Sequence, residues 1–167
     1  MADKIVQGAK IVYLTRLLSE ASKSNGEVFA YTTENGLTIS NEAESIKTKD
    51  GTVRVAGQAE LELTLTAALS ENGEKYRKYK KACIDGEAIE IWEANLQEPT
   101  SGNKYKGTYY QGYITSYEVS SSADGYAELS MTVSISGTGA EGEVTVSTQD
   151  IEKANYVFAD STKGVGA

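Results

Sequence analysis

A chain of 167 residues with a formal net charge of −8, one cysteine and no histidine has room for a single domain with its own core, and this composition excludes several functions. The missing histidine removes the usual general base and the commonest zinc ligand, and the excess of 24 acids over 16 bases opposes adhesion to nucleic acid, which needs clustered cations. Cys83 alone makes no intramolecular disulfide, in keeping with synthesis in a reducing cytoplasm, and no export leader or apolar run near the ~20 residues of a membrane span is expected.

Gly, Ser and Thr are plentiful and Pro99 is the one proline, the balance of a β-rich domain with tight turns. Residues 10–18, KIVYLTRLL, are apolar at both alternate sets of positions, so both faces of this strand should meet protein. Residues 28–33 and 37–48 flank Asn35-Gly36 and read as a hairpin. Its second half, LTISNEAESIKT, is too polar for a core, so an arm over about 34–57 is expected to protrude. Residues 59–69 then alternate cleanly, with Ala59, Leu61, Leu63, Leu65, Ala67 and Leu69 against Glu60, Glu62, Thr64 and Thr66. At ~3.3 Å per residue this is a strand of roughly 36 Å, greasy on one side and carboxylate-bearing on the other.

The period changes in EKYRKYKKACID, where Tyr76, Tyr79 and Cys83 fall at helical spacing. With Asn72 as a cap and Gly86 just past the end, a helix over about 73–85 is predicted. Strands follow at 88–96, 104–120, 126–136 and 143–148, with a Gly-rich turn before the last. In the third of these, Ala127, Leu129, Met131, Val133 and Ile135 oppose Glu128, Ser130, Thr132, Ser134 and Ser136. Residues 149–167 show little pattern beyond Tyr156, Val157 and Phe158, and read as a C-terminal extension to a domain spanning 1–148. Eight to ten strands and one helix predict a mainly β fold, a β-sandwich or barrel with a flanking α-helix, a long hairpin arm and an extended tail.

No catalytic kit emerges. GTGAEG (137–142) spells a dinucleotide fingerprint, but a strand and not a helix follows it, so a hairpin loop is the better reading. Cys83 has no histidine to deprotonate it and sits on the apolar side of the predicted helix. The pairs Glu60/Glu62 and Glu87/Glu90 read as solvated strand faces, and the basic helix (Lys75, Arg77, Lys78, Lys80, Lys81) as a solvated helix face. Tyr109, Tyr113 and Tyr117 share strand parity and, near Trp92, could form a carbohydrate-binding platform on a β-sandwich, the alternative to a structural or assembly role. No catalytic, cofactor-binding or metal-binding residues are assigned.

Five blocks carry a family resemblance: GAKIVYLTRLL (8–18), EVFAYTTENG (27–36), TKDGTVRVAG (48–57), IEIWEANL (89–96) and KYKGTYYQGYITSYE (104–118). Together they resemble the major tail, or tail tube, proteins of long non-contractile phage tails, the family of siphophages of Gram-positive and notably lactococcal hosts. No match extends past residue 149, and no counterpart of the Ig-like domain of some tail proteins is expected.

The resemblance implies a virion protein made in the host cytoplasm and assembled as hexameric rings, stacked into a tube that conducts DNA during ejection. It implies no enzyme activity and no cofactor. The implied partners are further copies of itself, a tape measure protein inside, terminator and distal or initiator proteins at the ends, and genomic DNA passing without sequence-specific binding; no membrane is involved. On this reading the polar strand faces line the bore, with Glu60, Glu62, Thr64, Glu118, Glu128, Ser130, Thr132 and Ser134 as lumen residues. A wall of carboxylates and hydroxyls gives phosphate no foothold. Glu34, Asn35, Glu42, Glu44, Lys47, Lys49, Asp50 and Arg54 are the expected inter-subunit or inter-ring contacts, with 149–167 as a second reaching segment.

Overall fold

The computed structural model describes residues 5–28, 32–69 and 74–146; the 149–167 extension lies outside them. The strands are β1 (Ile11–Leu17), β2 (Glu27–Val28), β3 (Thr32–Thr48), β4 (Gly51–Ala68), β5 (Ala88–Ser101), β6 (Lys104–Ser120) and β7 (Glu128–Thr145), and the helix α1 spans Glu74–Asp85. They form one seven-stranded sheet in the order β2-β1-β5-β6-β7-β4-β3, and every pairing is antiparallel. The fold is mainly β with one flanking helix, as the alternation and the single change of period predict.

There are fewer and longer strands than the turn dipeptides suggest. Asn35-Gly36 is not a hairpin turn: it lies inside β3, with Asn35 opposite Leu65 and Gly36 opposite Thr64. The hairpin instead joins β3 to β4 at Lys49-Asp50, with Gly51 at φ +135°. Nor is GTGAEG a loop between two strands. β7 runs through it, pairing with β6 as Gln111–Ser136 on one side and Tyr109–Ala140 on the other. Residues 137–139 thus oppose the single Tyr110, two more than the ladder needs, and bulge out, with Gly137 and Gly139 in the left-handed region at φ +73° and +80°. Glycine pairs that can take this conformation serve a bulge as well as a turn, which is why the motif misleads.

Alternation sets the core. Leu61, Leu63, Leu65 and Ala67 of β4 join Leu129, Met131 and Val133 of β7, Ile89 and Ile91 of β5, and Tyr13 and Leu17 of β1 in one buried cluster. The helix covers this face through Tyr79 and Ala82. Two hydroxyls fasten it: Tyr79 donates to Thr15 Oγ1 at 2.7 Å, and Tyr117 donates to the Tyr76 carbonyl at 2.9 Å. The other face of β1 carries Val12 and Leu14, which form a second cluster with Ala94, Val144 and Val146. Both faces of β1 therefore meet protein, the physical reason its sequence is apolar throughout.

Candidate functional site: a polar wall of four strands

With the odd positions of β4 in the core, Glu60, Glu62, Thr64 and Thr66 fall on the opposite face. β7 contributes Glu128, Ser130, Thr132 and Ser134 to that same face, because its register with β4 pairs Glu62 with Ser134, Thr64 with Thr132 and Thr66 with Ser130. The Thr66 and Ser130 hydroxyls are 3.2 Å apart and hydrogen-bonded. Beyond β7, Glu118 of β6 lies opposite Ser130, Ser116 opposite Thr132 and Ser120 opposite Glu128. Beyond β4, Thr38 of β3 lies opposite Glu62 and Glu34 opposite Thr66. One row thus reads Thr38–Glu62–Ser134–Tyr113 and the row four β4 residues on reads Glu34–Thr66–Ser130–Glu118, across four adjacent strands. All eight residues named as lumen candidates share this one face.

The wall also takes in residues the sequence reading missed. Thr66, Ser116 and Ser120 share parity with Thr64 and Glu118 and were findable by extending each alternation. Glu34 and Thr38 depend on the β3–β4 register, which Asn35-Gly36 disguises as a turn.

The eight arm candidates do not stay together. Glu34 belongs to the wall and Asn35, opposite core Leu65, to the other face, while Glu42, Glu44, Lys47, Lys49, Asp50 and Arg54 lie in the outer hairpin. Every residue from Thr38 to Gln58 is exposed. Pairing of β4 with β7 ends at Glu62–Ser134, so beyond that point the hairpin continues as a two-stranded ribbon.

A bulge at Thr115 changes the reading of the tyrosines. Ile114 pairs with Val133 and Ser116 with Thr132, so one extra residue on β6 inverts its parity. Tyr113 stands on the polar wall, whereas Tyr117 packs under the helix, its phenol pushed up chiefly by burial. Tyr109 donates to Glu90 Oε1 at 2.6 Å and accepts from Gln111 Nε2 at 2.7 Å. Its phenol is raised by burial first and by that carboxylate second. The three rings share no single platform. Glu90 is likewise occupied: Arg16 pairs with it at 2.5 Å, lies 4.9 Å from the centre of the Trp92 ring, and donates to the carbonyls of Ala21 and Ser24. This buried carboxylate anchors the loop after β1, and its role is structural.

Two free edges bound the wall. β5 pairs with β6 only as far as Tyr113, so Ile114–Ser120 of β6 have β7 as their one strand partner among the described residues. On the far side, among the described residues, β4 is the one strand with which β3 pairs. Among the described residues no group of His, Cys, Asp and Glu could hold a metal ion, and no helix is long and apolar enough to cross a membrane.

Residues 5–141 match the family model described as phage tail tube protein. A Staphylococcus phage phiMR25 protein described as a tail protein is 25% identical over 139 residues, covering 80% of this chain and 72% of that one. The tail tube protein of Bacillus phage SPP1 is 24% identical over 173 residues, covering 99% of this chain and 64% of its relative, so the chain spans less than two thirds of that protein. Among solved structures, the SPP1 tail tube aligns with a TM-score of 0.71 at 20% identity, covering 97% and 95% of the two chains. The tail of a gene transfer agent particle, refined with C6 symmetry, gives 0.61 at 14% identity over 80% and 96%. These likenesses show a shared fold.

Proposed function

The chain belongs to the phage tail tube protein family, a structural component of the virion tail, and from that premise we propose how its sheet builds the tube. The observation that carries the proposal is the polar four-stranded wall with an unpaired strand edge on either side. An exposed edge invites pairing, and ring closure removes it. The free edge of β3 in one copy meets the free Ile114–Ser120 edge of β6 in the next, so that four strands per copy join into one closed barrel. The C6 symmetry of the gene transfer agent tail supports six copies per ring.

In such a barrel the helix and core cluster lie outside and the polar face lies inside. Glu60, Glu62, Thr64, Glu118, Glu128, Ser130, Thr132 and Ser134 then line the bore, together with Thr66, Ser116 and Ser120. Carboxylates repel phosphate and hydroxyls hold it weakly, so DNA passes without the counterion release that makes a basic wall sticky. The role is structural, with no catalytic step. A tape measure protein fills the bore before DNA, and terminator and distal proteins close the ends. The outer hairpin, with Glu42, Glu44, Lys47, Lys49, Asp50 and Arg54, reaches another copy.

Negative-stain microscopy of the concentrated full chain tests this reading. Rings or tubes are the expected result; discrete small particles at every concentration, with or without the phage's initiator proteins, would overturn it.

A further inference from the structure

The chain holds three Asn-Gly dipeptides, at 25–26, 35–36 and 72–73, the last outside the described residues. In such a pair the glycine has no side chain to shield its backbone nitrogen, which can attack the side-chain amide carbon of the asparagine. A new N–C bond forms, the bond to the amide nitrogen breaks, and ammonia leaves with the proton that the backbone nitrogen gives up. Water then opens the cyclic succinimide at either carbonyl, giving aspartate or isoaspartate. Water is consumed and ammonia released, with no oxidant and no enzyme. The attack requires the asparagine backbone to leave the extended conformation, so a strand ladder opposes it.

The fold treats the first two pairs differently. Asn35 and Gly36 lie within β3, in register opposite Leu65 and Thr64, and the Thr64 hydroxyl donates to the Gly36 carbonyl at 3.5 Å. Asn25 is exposed and lies outside every strand, and the β1–β2 ladder begins only at Glu27. The chain on either side of Asn25 is anchored. Arg16, itself paired with Glu90, donates from Nη1 to the Ser24 carbonyl at 3.0 Å. Gly26 is seated on Trp92, and a Cβ there would come 2.7 Å from the indole ring. That ring is hemmed in by the Arg16 guanidinium, 4.9 Å from its centre, and by the Tyr109 ring at 5.4 Å between centres. A side chain at position 26 must displace it. The packing that closes the loop over Trp92 thus demands the glycine that makes Asn25 labile, and it leaves Asn25 itself in solvent.

We propose that Asn25-Gly26 is a site of spontaneous deamidation in the folded chain, and that the β3–β4 ladder protects the same dipeptide at Asn35-Gly36. The proposal is independent of the tube-building reading, and neither fails with the other. The product alters the loop. Isoaspartate adds a methylene to the main chain between the Ser24 carbonyl that Arg16 holds and the seat of Gly26 on Trp92, and it adds a carboxylate. Conversion should therefore shift the emission of Trp92, the one tryptophan in the chain. The test incubates the full chain in mildly alkaline buffer, with and without urea, and follows both dipeptides by peptide mapping and isoaspartate methyltransferase labelling. In urea the two asparagines should convert at rates within about threefold of each other. In the folded chain Asn25 should stay within about threefold of its urea rate, while Asn35 slows by at least about tenfold, because it reacts only when the ladder opens. Trp92 emission should drift with the Asn25 time course in wild type and hold steady in Asn25→Ser, an exposed substitution whose folding a melting curve checks. Folded-state protection of Asn25 equal to that of Asn35, or an emission drift that persists in Asn25→Ser, would overturn the proposal.

Discussion

Thr66 and Ser130, 64 residues apart in the chain, face each other across β4 and β7 with their hydroxyl oxygens at 3.2 Å. The pair lies in the β4–β7 register that puts Glu62 beside Ser134, and on the other side of β7 Glu118 stands beside the same Ser130. A double-mutant cycle of Thr66→Val and Ser130→Ala, read by thermal or urea unfolding, should give a coupling of about 0.2–1 kcal/mol. Strict additivity would mean the hydroxyls do not meet.

The two faces of β4 should respond oppositely to truncation. Leu63 is 1% exposed, and Leu63→Ala should cost about 2–5 kcal/mol of folding stability through lost burial and the cavity left behind. Glu62→Ala, one residue away on the exposed face, should stay within about 0.5 kcal/mol. Equal costs from chemical denaturation would contradict the assignment of faces.

The glycine bulge in β7 has its own test. Gly139 holds φ +80°, and a Cβ there would come 2.5 Å from the Tyr110 ring, whereas a Cβ on Gly142 would meet nothing within 4 Å. Gly139→Ala should destabilise by about 1–3 kcal/mol. Gly142→Ala, free of both the clash and the left-handed backbone, should melt close to the wild-type temperature.

Reversing charge on the wall should separate assembly from conduction. Glu60→Lys with Glu62→Lys changes two exposed side chains, so the chain should fold and form tubes. DNA release from phage carrying it should slow, and the slowing should fade with added salt as screening weakens phosphate contacts. An unchanged release rate would remove these positions from the bore.

Legibility followed the physics of each element. The alternations in β4 and β7 could be read from sequence because each strand has one buried and one solvated face, and period two then names both. The helix announced itself through Tyr76, Tyr79 and Cys83. Three bulges were not legible. Nothing local marks Thr115 as the extra residue that sends Tyr113 and Tyr117 to opposite faces. Gly137 and Gly139 resemble turn formers, and Gly57-Gln58, opposite the single Glu42, sits in a run whose polarity inverts without a break. Register between distant strands is a tertiary property, so Glu34 and Thr38 joined the wall only once β3 was seen against β4.

The most direct measurement is a helical cryo-microscopy reconstruction of tubes assembled from the full chain. The account predicts a bore lined by the β6-β7-β4-β3 face, with Glu60, Glu62 and Glu118 projecting into it and α1 on the outer surface. A reconstruction with those carboxylates on the outside, or with the helix lining the channel, would contradict it.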